Sequence, residues 1–148
     1  MTGLIWKLQS LFIKQMYLVI NTTDQLFFGL INEKGELTAQ FSFPGRVKSD
    51  YFIKQLKDFL KKNEIETAKL NGLGVVNGPG SFTAVRTGVV FANSLAFALN
   101  IPIVSLRSDQ FKDIDQLITK IYKKISQTDS SGRLINPIYD QAPGITRG

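Results

Sequence analysis

The chain has 148 residues, 43% of them hydrophobic and 20% charged, with 18 basic against 12 acidic side chains and a net charge of +6. This is the length and balance of one folded domain with a substantial core, and it excludes intrinsic disorder. There is no cysteine and no histidine, which excludes disulfides, thiolate or imidazole metal sites and every histidine-based catalytic triad within this chain.

Residues 1–15 read as an N-terminal extension. Ile5, Leu8, Leu11 and Phe12 would line one face of a short helix, but Lys7 and Gln9 interrupt the apolar run. It is too short and too polar for a signal core or a bilayer span. From Met16 the pattern changes. Met16–Ile20, Gln25–Ile31 and Glu36–Phe43 are β-rich runs separated by the turn clusters Asn21–Asp24 and Asn32–Gly35, which predicts a β-meander ending at Phe43-Pro44-Gly45. Ser49–Lys62 has helical spacing, with Phe52, Ile53, Leu56, Phe59 and Leu60 as its apolar stripe. Ser49 is the expected cap, Asp50 suits the first turn, and Lys61 and Lys62 suit the last.

The densest stretch follows. Leu73–Val76 is a short apolar run suited to a buried parallel strand. Asn77-Gly78-Pro79-Gly80 must turn, and Ser81 stands where a helix N-cap belongs. The helix predicted over Ser81–Leu99 has Arg86 as its only charge and is apolar nearly all round, so it should be buried nearly all round. Thr83, Arg86, Thr87, Asn93 and Ser94 make it a poor membrane span. A row of small residues, Ala84, Gly88, Ala92 and Ala96, would admit another backbone closely. Ile101–Leu106 is a further strand, Ser108–Ile125 a third helix, Gln127–Gly132 a polar loop and Leu134–Tyr139 a final edge strand. The element order predicts an α/β fold: a mixed five-stranded sheet in the order 3-2-1-4-5, an antiparallel meander with parallel strands added beside it. Residues 16–126 form this lobe with its third helix, and 127–148 form a loop and tail.

Two candidate sites emerge. Asn77, Gly78, Gly80 and Ser81 surround a helix N-terminus, where free N–H groups favour an anion; no lysine follows the glycines, so this is not a Walker loop, and a plain capped turn is the alternative. Phe52 and Leu56 of the first helix, with Phe82, Val85, Gly88, Val89, Ala92 and Ala96 of the long helix, would together offer an apolar patch to a partner. Lys54, Lys57, Lys61 and Lys62 lie off the first helix's apolar stripe and suit either RNA phosphates or a solvated face.

The run Gly78-Pro79-Gly80-Ser81-Phe82-Thr83, continued by Arg86 and Gly88 and closed by Ile101-Pro102-Ile103-Val104-Ser105-Leu106, resembles the TsaB (YeaZ) family. The resemblance spans about Met16 to Leu106, and Pro137-Ile138-Tyr139 with Pro143-Gly144-Ile145-Thr146 resembles that family's ending. It implies an actin-like (ribonuclease H-like) lobe and a non-catalytic, cytoplasmic subunit of the machinery that makes threonylcarbamoyladenosine in tRNA. The implied partner is a TsaD-type catalytic subunit, met through the two helices, with a homodimer and a TsaE-type ATPase as further partners. ATP and metal would sit on the catalytic partner and no cofactor on this chain; tRNA contact would be indirect or weak, and no membrane is involved. The chain also departs from the family and superfamily patterns. Asn21, beside Thr22, stands where actin-like ATPases place a phosphate-loop acid, and an amide holds a divalent ion less well than a carboxylate. Ser49–Ile53 lacks the paired histidines of the catalytic sister subunit, and Ser49-Asp50 only partly echoes the family's His-Ser-Glu run. About forty residues follow Leu106, so the second lobe is largely missing. The alternatives are a nucleotide-handling actin-like enzyme and a basic RNA-binding module.

Overall fold

The computed structural model describes residues 15–45, 48–128 and 133–140. Gln15 apart, the expected N-terminal extension lies outside the described residues, as does the tail run Pro143–Thr146. The elements are β1 (Met16–Asn21), β2 (Gln25–Asn32), β3 (Leu37–Pro44), α1 (Ser49–Lys62), β4 (Gly72–Val76), α2 (Phe82–Leu99), β5 (Ile103–Leu106) and α3 (Ile114–Ser126), with single 3-10 turns at Thr67–Lys69 and Ser108–Gln110. They build one five-stranded sheet in the order β3-β2-β1-β4-β5. β1 pairs antiparallel with β2 and parallel with β4, and β4 pairs parallel with β5.

Alternation along the strands divides the core in two. Leu18 and Ile20 of β1, Leu26, Phe28 and Leu30 of β2, and Leu73 and Val75 of β4 face α1 and α2. Tyr17, Val19, Phe27, Ile31, Val76 and Leu106 face α3, meeting Leu117, Ile118, Ile121 and Ile125. Helix α3 sits close because β4 has no side chain beneath it at two points. A Cβ on Gly72 would come within 3.1 Å of Ile125 Cγ1, and one on Gly74 within 3.0 Å of Ile121 Cδ1. On the other face Phe28 and Phe52 pack edge to face at 5.4 Å, and Phe52 meets Phe91 of α2 in the same manner at 5.1 Å. These rings tie α1, α2 and the meander together, each pair adding about 1 kcal/mol beyond its burial.

Three local expectations are corrected. Ser49 is the first helical residue of α1, not its cap; Lys48 holds the cap position without a side-chain bond. The third helix does not start at Ser108. Ser108–Gln110 is a 3-10 turn in which Gln110 Oε1 accepts from the Arg107 amide at 2.9 Å. The helix begins after Asp113, whose carboxylate accepts from Gln116 N at 2.8 Å. Leu134–Tyr139 is not a sheet strand. It runs extended across the Asn77–Gly80 turn and makes a single parallel bridge, Tyr139 to Gly80.

Candidate functional site

The strand–turn–helix at β4–α2 is built as its sequence demands, but its polar groups are engaged from within the chain. Gly78 has φ +106°, a left-handed conformation that glycine adopts without penalty. It also lies against the tail, since a Cβ there would overlap the Ile138 carbonyl oxygen. The tail is bonded along its length. Ile138 N donates to Asn77 O at 2.7 Å and Asp140 N to Gly80 O at 3.0 Å. Asn77 Nδ2 donates to Asn136 O at 2.9 Å, and the Asn93 amide makes a reciprocal pair with Ile135, 2.9 Å in each direction. Ile135 is buried and joins the core.

The first hairpin turn reaches the same place. Asn21, Thr22 and Thr23 are all buried. Asn21 Oδ1 accepts from Thr23 N at 2.9 Å and Thr23 Oγ1 at 2.7 Å, forming an Asx turn. Thr22 Oγ1 donates to Ala84 O at 2.5 Å, welding the turn to the first residues of α2. The structure therefore sets the hairpin turn carrying Asn21 and Thr22 against the start of α2, with Gly80 of the Asn77–Ser81 turn beside Thr23. Their bonds run within the hairpin turn, to Ala84, to Leu106 and Ser108 after β5, and to the tail. Two atoms are exceptions: Asn77 Oδ1 and Ser81 Oγ are buried without a hydrogen-bond partner. Ser81 occupies the N-cap of α2, but its side chain makes no cap bond.

The expected partner patch is rearranged. Phe52, Leu56, Val85, Gly88, Val89, Ala92 and Ala96 are buried in the chain's own core. The small-residue row faces inward: a Cβ on Gly88 would come within 3.2 Å of Thr22 Cγ2, so this row admits the hairpin turn of the same chain and not a second molecule. Of the eight expected residues only Phe82 is exposed. The surface open to a partner is a quarter-turn or more away, where a groove of about 430 Å³ runs between the outer faces of α1 and α2. Ile53 (40% exposed), Phe82 (40%) and Val90 (52%) line it, together with Arg86, Thr83, Thr87 and Ser94. Phe97, one to two turns beyond Val90, is 82% exposed. Arg86 stands over the Phe82 ring at 5.8 Å, and the other side of that aromatic cluster is Tyr139 of the tail, 4.8 Å from Phe82 between centroids. Sequence reasoning named the helices but missed Ile53, Val90 and Phe97. By length and composition α2 is apolar enough to cross a membrane, but here it is the core helix packed on β1, β4 and β5.

Comparison with known proteins agrees with this architecture. Residues 46–110 match the family model described as TsaD, tRNA N6-adenosine threonylcarbamoyltransferase. The tRNA threonylcarbamoyladenosine biosynthesis protein TsaB of Buchnera aphidicola subsp. Acyrthosiphon pisum is 29% identical over 53% of this chain and 34% of its own length. TsaB of Escherichia coli is 27% identical over 60% of this chain and 38% of its own. A tRNA N6-adenosine threonylcarbamoyltransferase of Legionella pneumophila is 37% identical over 38% of this chain and 17% of its own. The solved structure of YeaZ from Pseudomonas aeruginosa superposes with a TM-score of 0.57, at 22% identity, over 63% of this chain and 44% of that one. The chain thus spans little more than a third of the length of these TsaB relatives. Over the matched part, from the meander through the strand–turn–helix, this chain is similar to TsaB proteins in sequence and to YeaZ in fold.

Proposed function

We propose that this chain is a cytoplasmic subunit in tRNA threonylcarbamoyladenosine synthesis that binds a TsaD-type catalytic subunit and leaves the chemistry to it. The observation that carries the proposal is the groove between α1 and α2. It is an apolar strip on the chain's outer surface, walled by hydroxyls and holding one arginine. Burying the exposed parts of Ile53, Phe82 and Val90 would contribute about 1 kcal/mol each, and Arg86 is of a type that dominates binding at protein interfaces. Relatives of this chain include both TsaB proteins and threonylcarbamoyltransferases, which supports a TsaD-type subunit as the occupant. The nucleotide-handling alternative is disfavoured by Gly78, against which the tail sets the Ile138 carbonyl oxygen, and by Asn21, whose side chain is engaged within its own turn. The test is co-purification with the TsaD-type subunit of the same genome. Wild type should be retained, and Val90→Glu, a change at a half-exposed position, should abolish retention while leaving the circular dichroism spectrum intact. Retention of the variant at wild-type level would refute the groove. A homodimer through the same groove is the second reading, and light scattering with and without the catalytic subunit separates the two.

A further inference from the structure

A second concavity, of about 580 Å³, lies on the opposite side of the sheet from the α1–α2 groove, between α3 and the segment that follows β5. Four lysines line it: Lys112, Lys120, Lys123 and Lys124. Two are held in place by the backbone. Lys124 Nζ donates to Ser105 O at 2.7 Å, and Lys120 Nζ donates to Gln110 O. An ammonium has three donors, so each keeps two for a ligand while the chain fixes its position. The carboxylate in the lining is Asp109, and it is already taken: Arg107 grips it with Nε at 3.0 Å and Nη2 at 2.8 Å, which holds its carboxyl below the usual range. That is the one ion pair among the described residues, and it leaves the four lysines without a carboxylate partner there. Successive turns of α3 set Lys120 and Lys123–Lys124 roughly 5 Å apart along the axis.

We propose that this lysine-lined concavity is a binding site for the phosphate backbone of RNA, and that the RNA is the tRNA substrate; the identity of the RNA rests on the tRNA-modification reading above. Charge complementarity selects the occupant. Lysines act as point charges that position a backbone without reading bases. Four lysines along one concavity suit a run of phosphates. Because the concavity and the partner groove lie on opposite faces of the sheet, RNA and the catalytic subunit can be held at once.

The test measures unmodified tRNA binding to the full chain by fluorescence anisotropy at 50–200 mM salt. If all four lysines contact phosphates, wild-type affinity should fall roughly 150-fold across about that range, and the Lys112→Gln/Lys123→Gln double variant only roughly 12-fold, taking a slope of about 0.9 per contact. These two lysines are chosen because neither ammonium bonds a carbonyl of the fold. The control is Lys57→Gln/Lys61→Gln on α1, which should keep the wild-type slope. Equal loss in both double variants would mean diffuse charge and would overturn the site, as would salt-insensitive binding or none by wild type. Inorganic tripolyphosphate that displaced tRNA at equal phosphate concentration would overturn the RNA assignment in favour of a small-anion site. Co-purification with the TsaD-type subunit reports separately on the proposed function: the lysine double variant should be retained, and Val90→Glu should still bind tRNA.

Discussion

The tail's place over the β4–α2 turn can be tested at one atom. Gly78→Ala adds a Cβ that would overlap the Ile138 carbonyl oxygen and lie 2.9 Å from its carbonyl carbon. The new methyl is blocked by backbone, which cannot swing away as a flexible side chain would. The alanine must also adopt φ near +106°, which costs about 1–2 kcal/mol in the left-handed region. Displacing the tail breaks the bonds Ile138 N to Asn77 O, Asp140 N to Gly80 O and Asn77 Nδ2 to Asn136 O, each worth about 1 kcal/mol net. The combined loss is about 4–5 kcal/mol, a large share of the ~5–15 kcal/mol that holds a domain folded. Chemical denaturation should show the drop in midpoint, and hydrogen exchange should show the Ile138 and Asp140 amides losing protection. Trypsin should also cut sooner after Arg133. A variant with wild-type midpoint and wild-type protection at Ile138 would refute the threaded tail and reopen the turn as a ligand site.

Other substitutions separate the inward from the outward face of α2. Gly88→Glu should unfold the monomer, because the position is packed against Thr22 and a carboxylate there would be buried without a partner; thermal melts by circular dichroism check it, and a folded variant that merely fails to bind its partner would reverse the assignment of the face. Ser81→Ala should be neutral or slightly stabilising, against the usual loss of about 1 kcal/mol for an N-cap serine, because its hydroxyl is buried and unpaired; a denaturation midpoint lowered by a full cap's worth would show that Ser81 does cap α2. The Tyr17 phenol is held above its ordinary pKa of 10.0, first by burial and then by Tyr122 and Glu33. The unfolded chain therefore loses that proton first, so the contribution of Tyr17 to stability should be constant up to about pH 10 and fall above it, and Tyr17→Phe should flatten that limb of the curve. The isolated chain should not turn over ATP with magnesium, and steady magnesium-dependent hydrolysis by a clean preparation would return the nucleotide-handling reading.

What was legible in the sequence follows from how local each signal is. The five-strand order could be derived because each apolar run ends in its own turn cluster, and because β1 and β2 are apolar without interruption, as strands covered on both faces are. That α2 packs on the sheet was equally plain, but the expectation that it is buried nearly all round is corrected: Phe82, Val90 and Phe97 stand exposed on its outer face. A helix with valine, alanine and phenylalanine on every side has too little polarity to mark an outer face, so Val90 and Phe97 were indistinguishable from Val89 and Ala96 until the crossing over β1 and β4 was known. The start of α3 was misread because Ser108 and Asp113 are both good caps. Asp113 prevails because its carboxylate reaches Gln116 N, while Gln110 closes the earlier turn on Arg107. The tail's partners and the lysine concavity could not be read. Residues 135–140 look locally like a strand, yet their partners are the carbonyls of Asn77 and Gly80 and the amide of Asn93, some forty to sixty positions away. Lys120, Lys123 and Lys124 read as the solvated side of an amphipathic helix; only the fold sets them facing Lys112 and the Ser105 and Gln110 carbonyls, and so turns a charged face into a concave one. Local pattern specifies elements and their burial, whereas a site in this chain arises where a loop that carries no pattern meets a helix face that the pattern marks only as polar.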